Sequence, residues 1–221
     1  MTNTLVLDVD GTLVDTNYHH AVAWFRAFRR HDLTVPTWRL HRAIGMGGDR
    51  LVAEVAGRHV EDERGDDIRA AWAEEFEPML AEVRPLEGAH RLVTSALEQE
   101  FAVVLASSGP RAHVDRYLAL LDVPDVPSTS ADDVDSSKPA PDLITVALER
   151  VGAGRAVVVG DSVWDCEAAR RAGLPAVGLR TGGFGEDELR AHGASAVYYD
   201  LDRLRADLVD LPFAAVSVEF A

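Results

Sequence analysis

The chain has little cysteine and little positive charge. Cys166 is its single cysteine among 221 residues, which excludes an internal disulfide framework and is typical of a reducing compartment. Lys and Arg number 22 against 37 Asp and Glu, so the formal net charge is −15. Because nucleic acids and anionic membranes repel such a surface, we expect neither as a partner. An anionic small substrate would need a local site of positive charge on this acidic protein.

The sequence also lacks a long apolar run. Near its start only residues 5–7 are apolar before Asp8, and no basic segment precedes them. We therefore expect neither a signal peptide nor a membrane span, and we predict a cytoplasmic protein. An apolar fraction of 47% can supply a real core, and the length fits one large domain or a domain with an insert.

Short apolar runs alternate with helix-length segments along much of the chain. The runs that predict buried strands are residues 5–9, 101–106, 156–159, 176–179 and 196–199, with a further short strand within 124–130. Helical patterns between them cover residues 111–121, 141–151 and 163–172. This alternation predicts right-handed βαβ units and a parallel sheet covered on both faces.

One interval breaks this alternation. About ninety residues separate the first strand from the second, far more than an ordinary crossover requires, and they contain no convincing strand. The excess predicts an inserted helical domain at residues 15–85. The remaining residues, 1–14 and 86–221, would then form the core domain.

Two aspartates follow the first strand in the sequence LVLDVDGTLVDT, residues 5–16. Residues two apart on a strand point to the same side, so we expect Asp8 and Asp10 to share one pocket where the strand ends. Ligands bind at that edge of open α/β sheets. An Asp10-Gly11 turn between strands explains the pair about equally well, so the ends of the other strands must decide.

Those other ends are polar. Ser107 and Ser108 follow the second predicted strand, Lys138 begins a helical segment, and Asp161 and Asp165 follow the strand at 156–159. A helix cap or simple exposure would explain each residue by itself. Their combination suits phosphoryl transfer, in which a carboxylate attacks phosphorus, carboxylate oxygens bind Mg²⁺, and a lysine and a hydroxyl bind the phosphoryl oxygens.

The four motifs in this order resemble the haloacid dehalogenase superfamily. They are DVDGT at 8–12, Ser107, Lys138-Pro139 and GDSVWD at 160–165. The resemblance is to the phosphatase branch with a helical cap after the first strand, similar to phosphoglycolate phosphatase and β-phosphoglucomutase. It implies an α/β fold: a Rossmann-like doubly wound parallel sheet of order 3-2-1-4-5 with an inserted α-helical cap domain.

The resemblance also implies roles for the core residues. Asp8 would be the nucleophile, and Asp10 the acid that protonates the leaving alcohol and later the base that activates water. Ser107 and Lys138 would bind the phosphoryl group, assisted by backbone N–H groups near Asp10 and Ser108.

The implied cofactor is Mg²⁺. Its ligands would be Asp8, the backbone carbonyl of Asp10, and Asp161. Asp165 would be either a further metal ligand or a group that orients Lys138.

In the family that this sequence resembles, the cap domain selects the substrate. In the segment DTNYHHAVAW, His20 stands at the position typical of the mutase, whereas IGMGGDRL at 44–51 is closer to phosphoglycolate phosphatase. Candidate substrate contacts are therefore His20, Gly47, Gly48 and Arg50. Packing on the helix surface explains His20 equally well, and a connector between two helices explains the glycines. Arg50 would either bind a second anionic group of the substrate or face solvent.

The sequence thus predicts a Mg²⁺-dependent phosphomonoester hydrolase that acts on a small metabolite such as phosphoglycolate or a sugar phosphate. The nearest alternative is a phosphohexomutase like β-phosphoglucomutase. A 2-haloacid dehalogenase fits less well, because it would need neither an acid/base at Asp10 nor a metal site. A catalytically idle binding module is opposed by the intact motif set, and the protein is expected to be a monomer or a homodimer.

Overall fold

The computed structural model describes residues 2–123 and 125–216. Among these residues, seven strands form one sheet: β1 (Asn3–Leu7), β2 (Ala102–Ala106), β3 (Ser128–Thr129), β4 (Arg155–Gly160), β5 (Ala176–Leu179), β6 (Ala194–Tyr198) and β7 (Ala214–Ala215). The order is β3-β2-β1-β4-β5-β6, with these six strands parallel. The predicted order 3-2-1-4-5 is confirmed, and β6 extends the sheet beyond β5.

Ten α-helices connect and cover these strands in the described part of the chain. They are α1 (Asn17–Arg30), α2 (Thr37–Ala43), α3 (Gly48–Ala56), α4 (Arg58–Phe76), α5 (Ala89–Glu98), α6 (Arg111–Leu121), α7 (Asp142–Val151), α8 (Val163–Arg171), α9 (Glu186–Ala191) and α10 (Leu201–Ala206). None of the helices in the described ranges is long and apolar enough to cross a membrane.

Both faces of the sheet are buried, as the continuous apolar strands predict. Because side chains alternate along a strand, Leu5 and Leu7 of β1 pack in one hydrophobic cluster while Val6 packs in another. Helices α5, α6 and α10 contribute to the first cluster, and α7, α8 and α9 to the second. The central position of β1 therefore brings the residues that follow it to the middle of the sheet edge.

Helices α1–α4, which we call the insert, lie between β1 and β2 in the chain. They enclose a third cluster of apolar side chains that includes Trp24, Phe28, Leu40, Leu51 and Ile68. Such an interior is what an inserted helical domain needs in order to fold on the sheet. The exact boundaries at 15 and 85 stay a prediction.

The C-terminal segment adds to the sheet near its centre. Strand β7 pairs antiparallel with the first residues of β4, with Ala215 opposite Arg155 and Ala214 opposite Ala156. Within the described residues, this terminal strand is a two-residue pairing. Residues 217–221 lie outside the described residues.

Candidate active site

The chain turns sharply just after β1, and this turn delivers the first two aspartates. The backbone N–H of Asp8 still donates to Val159 O of β4 at 2.9 Å, so Asp8 stays attached to the sheet. Gly11 then adopts a φ of +77°, and a Cβ there would lie 2.5 Å from Oδ2 of Asp161. Glycine at this position therefore allows the loop that carries Asp10 to approach the end of β4.

Lys138 lies buried between two carboxylates. Its Nζ donates to Oδ1 of Asp8 and lies 2.7 Å from Oδ1 of Asp165, and the lysine is only 2% exposed. Burial alone would lower the pKa of Lys138, but the charges of Asp165 and Asp8 outweigh it and raise that pKa above its usual value. A permanently charged ammonium group thus stands beside Asp8. The other carboxylate oxygen of Asp165 caps α8 by accepting from Ser162.

A second carboxylate, Asp161, is joined to Asp8 through Thr12. The Thr12 hydroxyl lies 2.9 Å from Oδ2 of Asp8 and 2.9 Å from Oδ1 of Asp161. Its single proton can serve only one of these acceptors at a time. Asn17, at the start of α1, donates to the remaining oxygen of Asp161 at 2.8 Å. One helix of the insert therefore contacts the acidic cluster directly.

The acidic cluster fits a hard divalent cation. Asp8, Asp161 and Asp165 each offer a carboxylate oxygen within 4.8 Å of the others, and all three are buried. Burial raises the pKa of Asp8 and of Asp161, and the neighbouring charge of Asp165 raises both further. A bound cation would relieve this repulsion, and oxygen ligands are those that Mg²⁺ prefers. Gly182 closes the cluster, because a Cβ there would lie 1.8 Å from Oδ2 of Asp161.

Asp10 is held by three side chains, two from the start of α1 and one from the loop after β2. Oδ1 accepts from Thr16 Oγ1 at 2.9 Å and lies 3.0 Å from His20 Nε2, while Oδ2 accepts from Ser107 Oγ at 2.9 Å. Burial would raise the pKa of Asp10, but the hydrogen bond and charge of His20 and the two hydroxyl bonds outweigh it and lower that pKa to about 2. Asp10 is therefore a carboxylate in this arrangement.

Aromatic rings of the insert fix His20 in place. The imidazole stacks on Phe76 with ring centroids 4.1 Å apart and an interplanar angle of 10°, and it also stacks on Trp72 at 5.6 Å. Trp72 in turn stacks on Trp24 at 5.2 Å. Because α1 and α4 supply these rings, the packing of the insert decides where the imidazole meets Asp10.

The glycine-rich segment before α3 docks on the core loops. Gly47 N–H donates to Ser137 Oγ at 3.0 Å, and Ser108 Oγ donates to Gly45 O at 3.3 Å. A Cβ on Gly47 would lie 2.3 Å from Ser137 Oγ, so a larger residue would force these segments apart. The segment thus touches the loops that carry Ser108 and Lys138.

The structure places the four cap candidates in different surroundings. His20 and Gly48 line the pocket that contains Asp8 and Asp10, and Gly47 lies against Ser137 behind it. Arg50 lines a separate outer cavity, and its Nε lies 3.8 Å from the neighbouring Asp49 carboxylate. A substrate contact by Arg50 stays a prediction.

Sequence reasoning missed several contributors. Asn17, Trp72 and Gly182 each touch the site. Asn17 and Trp72 lie on helices of the insert, whereas Gly182 follows β5 but carries no side chain that signals chemistry. Asn17 alone had a local signal, since it follows the Asp15-Thr16 pair at the start of a helix. Its bond to Asp161 spans 144 positions in the chain and depends on how the insert packs.

Comparison with known proteins shows the family of this chain. A model of the haloacid dehalogenase-like hydrolases matches residues 2–173. The chain belongs to this family. Among curated members of similar sequence, validoxylamine A 7'-phosphate phosphatase of Streptomyces hygroscopicus subsp. limoneus is 30% identical over 82% of this chain and 87% of its own length. Fructose-1-phosphate phosphatase of Escherichia coli strain K12 is 28% identical over 80% of this chain and 95% of its own length.

A solved member of similar structure is a hydrolase from Pseudomonas syringae. It superposes with a TM-score of 0.90 and 31% identity, covering 96% of this chain and 99% of its own. As a haloacid dehalogenase-like hydrolase, the protein is an enzyme, and the phosphatase names of its curated relatives support a phosphoric monoester hydrolase.

Proposed function

We propose that the protein is a Mg²⁺-dependent phosphatase that hydrolyses phosphomonoesters of a small metabolite through an aspartyl phosphate. The observation that carries this proposal is the buried set of Asp8, Lys138, Asp161 and Asp165 at one sheet edge, with the hydrogen-bonded Asp10 beside it. The names of two relatives, a validoxylamine A 7'-phosphate phosphatase and a fructose-1-phosphate phosphatase, support the same chemistry.

In the first half of the reaction, a carboxylate oxygen of Asp8 attacks phosphorus. The bond from phosphorus to the leaving oxygen breaks as the aspartyl phosphate forms, and Asp10 gives a proton to that oxygen. Because the bonds from His20, Thr16 and Ser107 hold Asp10 ionised, it must first gain a proton and loosen these bonds. In the second half, water attacks phosphorus, its proton passes to Asp10, and Asp8 is released with inorganic phosphate.

Lys138 and the serines assist both halves. The Lys138 ammonium group places positive charge where the phosphoryl oxygens would lie, and the backbone N–H groups near Ser108 would add donors. Asp165, 2.7 Å from Lys138, holds the ammonium group toward Asp8, which supports an orienting role. Ser107 Oγ would bind a phosphoryl oxygen once it releases Asp10.

The metal would be held by Asp8, Asp161 and the backbone carbonyl of Asp10, with Asp165 either a further ligand or only the group that orients Lys138. When bound, Mg²⁺ supplies positive charge that offsets the repulsion between Asp8 and an anionic phosphate ester. The carboxylates alone carry more negative charge than Lys138 can neutralise.

The experiment that tests the proposal is phosphate release from ethyl phosphate and from an aryl phosphate, with Mg²⁺ and with excess chelator. We expect turnover that requires the metal. The proposal would be contradicted if neither ester released phosphate, with Mg²⁺ or with chelator.

A phosphohexomutase is the second candidate. His20 stands at the sequence position typical of that enzyme, and its Nε2 atom lies 3.0 Å from Oδ1 of Asp10. Incubation with a hexose 1-phosphate and a trace of its bisphosphate separates the two functions. The phosphatase releases inorganic phosphate, whereas the mutase yields hexose 6-phosphate. In either case, residues 15–85 would act as a cap over the leaving group. The cytoplasmic location and the oligomeric state stay predictions.

A further inference from the structure

The pocket that contains the reacting carboxylates is small. It encloses about 50 Å³ beside Asp8 and Asp10, and Trp72, Gly48 and Ser108 form part of its wall. Because a cavity needs roughly 10–15 Å³ to hold one water molecule, this pocket has room for only a few groups of that size. A phosphoryl group would occupy most of it, so the rest of a substrate must lie elsewhere.

A larger cavity adjoins this pocket, and we call it the leaving-group cavity. It encloses about 240 Å³ and shares Gly48, Trp72 and Ser108 with the smaller pocket. Its other polar walls come from Asp49 and Arg69 of the insert and from Asp135 and Ser137 of the core. A substrate whose phosphoryl group sits beside Asp8 would therefore extend past Trp72 between the insert and the core.

The charges of this cavity disfavour an anionic occupant. The Arg69 guanidinium lies 2.8 Å from Glu61 and 2.8 Å from Asp66, and it also donates to Gly48 O at 3.1 Å. Two carboxylates thus offset its positive charge. Asp49 lies 3.8 Å from Arg50 Nε, and Asp135 adds a further negative charge to the wall, so four carboxylates stand against two guanidinium groups. A carboxylate or a second phosphate on the substrate would be repelled there.

We propose that the leaving-group cavity binds an uncharged, polyhydroxylated leaving group and selects against anionic ones. The inference rests on the proposed phosphatase function. Hydroxyl groups can donate to Asp49 and Asp135 and accept from Arg69, and the C–H face of a sugar or polyol can pack on the Trp72 indole. An ammonium group could pair with Asp49 and Asp135 but could not accept from Arg69, whereas a hydroxyl group can use both kinds of partner.

The first arm of the test compares four phosphate esters with the wild-type protein in Mg²⁺. They are sorbitol 6-phosphate, ethyl phosphate, phosphoglycolate and phosphoethanolamine. We expect kcat/KM for sorbitol 6-phosphate to exceed that for ethyl phosphate by roughly 10-fold or more, and phosphoglycolate to be no better than ethyl phosphate. A preference for phosphoglycolate or phosphoethanolamine would overturn the inference while leaving the phosphatase function intact. Failure with all four esters would overturn both.

The second arm locates the selectivity in this cavity. Asp135 is exposed, so Asp135→Asn should fold, and Asp67→Asn removes the same charge from an exposed position of α4 outside the cavity. We expect Asp135→Asn to lower the ratio of kcat/KM for sorbitol 6-phosphate over ethyl phosphate and to raise the ratio for phosphoglycolate over ethyl phosphate by roughly threefold or more. Asp67→Asn should leave both ratios unchanged.

A third variant tests the aromatic wall. Trp72→Phe keeps a ring in the stack with Trp24 and Phe76 but shortens the surface offered to the substrate. We expect the preference for sorbitol 6-phosphate over ethyl phosphate to fall several-fold. If Asp135→Asn and Trp72→Phe both keep the wild-type ratios, the preference arises elsewhere and the inference is wrong.

Discussion

The Nε2 atom of His20 lies 3.0 Å from Oδ1 of Asp10, which joins the first helix of the insert to the loop after the central strand. The imidazole keeps this position because it stacks on Phe76, which ends α4. The contact therefore exists only while α1 and α4 are seated over the sheet edge. The packing of the insert over the sheet edge and the placement of the proposed proton carrier are in this way linked.

Replacing His20 should impair turnover more than substrate binding. In His20→Phe the new ring can stack on Phe76, but the Asp10 carboxylate loses the hydrogen bond from the imidazole. A hydrogen bond to a charged group contributes roughly 1.5–3 kcal/mol. We expect kcat for ethyl phosphate to fall about 10-fold or more with little change in KM, and His20→Gln, which restores a donor, to recover part of the loss. The neighbouring variant His19→Phe serves as the control, and equal losses in the two Phe variants would contradict the positioning role.

The nucleophile has a sharper test. Asp8→Asn keeps the shape of the side chain but replaces the attacking carboxylate with a poor nucleophile, while Asp165 still pairs with Lys138. We expect no phosphate release and no phosphorylated protein by intact-mass measurement, with a thermal unfolding transition as cooperative as that of the wild type. Substantial turnover in a preparation free of deamidated protein would refute a covalent role for Asp8.

The strand-end logic explains why most of the site could be predicted from sequence. Asp8, Asp10, Ser107, Lys138 and Asp161 all stand just after strands or in the loops at one sheet edge, so a parallel sheet alone brings them together. Strand limits were less exact, because polar residues such as Asn3 pair in the ladder as readily as apolar ones. Backbone pairing does not depend on the side chain that periodicity detects.

The insert was harder to predict because its contacts depend on helix rotation and docking. Gly48 lines the pocket beside Asp8, whereas Arg50, two residues further along α3, lines the outer cavity. Two residues correspond to about 200° around a helix, so both cannot face the same pocket. Trp72 and Arg69 lie on α4 in a strongly charged sequence, and only the packing of α4 on α1 and α3 brings them to the site.

The lowered pKa of Asp10 predicts an acid-sensitive contribution to stability. Its pKa is about 2 in the fold against an ordinary value of 3.8, so the contribution is complete above about pH 4 and is lost as the pH falls toward 2. From pH 6 to pH 3 the stability advantage of the wild type over Asp10→Asn should shrink by about 1 kcal/mol. Urea unfolding at both pH values measures this change. Asp67→Asn should show no such trend, and a pH-independent difference for Asp10→Asn would contradict the prediction.

The acidic cluster predicts the opposite dependence on pH in the absence of metal. Burial and the charge of Asp165 raise the pKa of Asp161 in the fold, so the folded protein holds a proton that the unfolded chain has already lost above its ordinary carboxyl pKa. This contribution of Asp161 to stability therefore falls as the pH rises through the interval between those two pKa values. Asp161→Asn removes the ionisable group while an amide oxygen can still accept from Thr12 or Asn17.

Thermal unfolding of chelator-treated protein at pH 5 and pH 8 tests this, with and without added Mg²⁺. Without metal, we expect Asp161→Asn to gain stability relative to the wild type as the pH rises. Added Mg²⁺ should raise the Tm of the wild type at pH 8, because a ligand that binds only the folded state stabilises it by roughly 2.7 kcal/mol at 100 times its Kd. The variant should respond weakly, and Asp67→Asn should respond like the wild type. If Mg²⁺ stabilises Asp161→Asn as much as the wild type, Asp161 does not hold the metal, and its place in the cluster is only structural, through its bonds with Thr12 and Asn17.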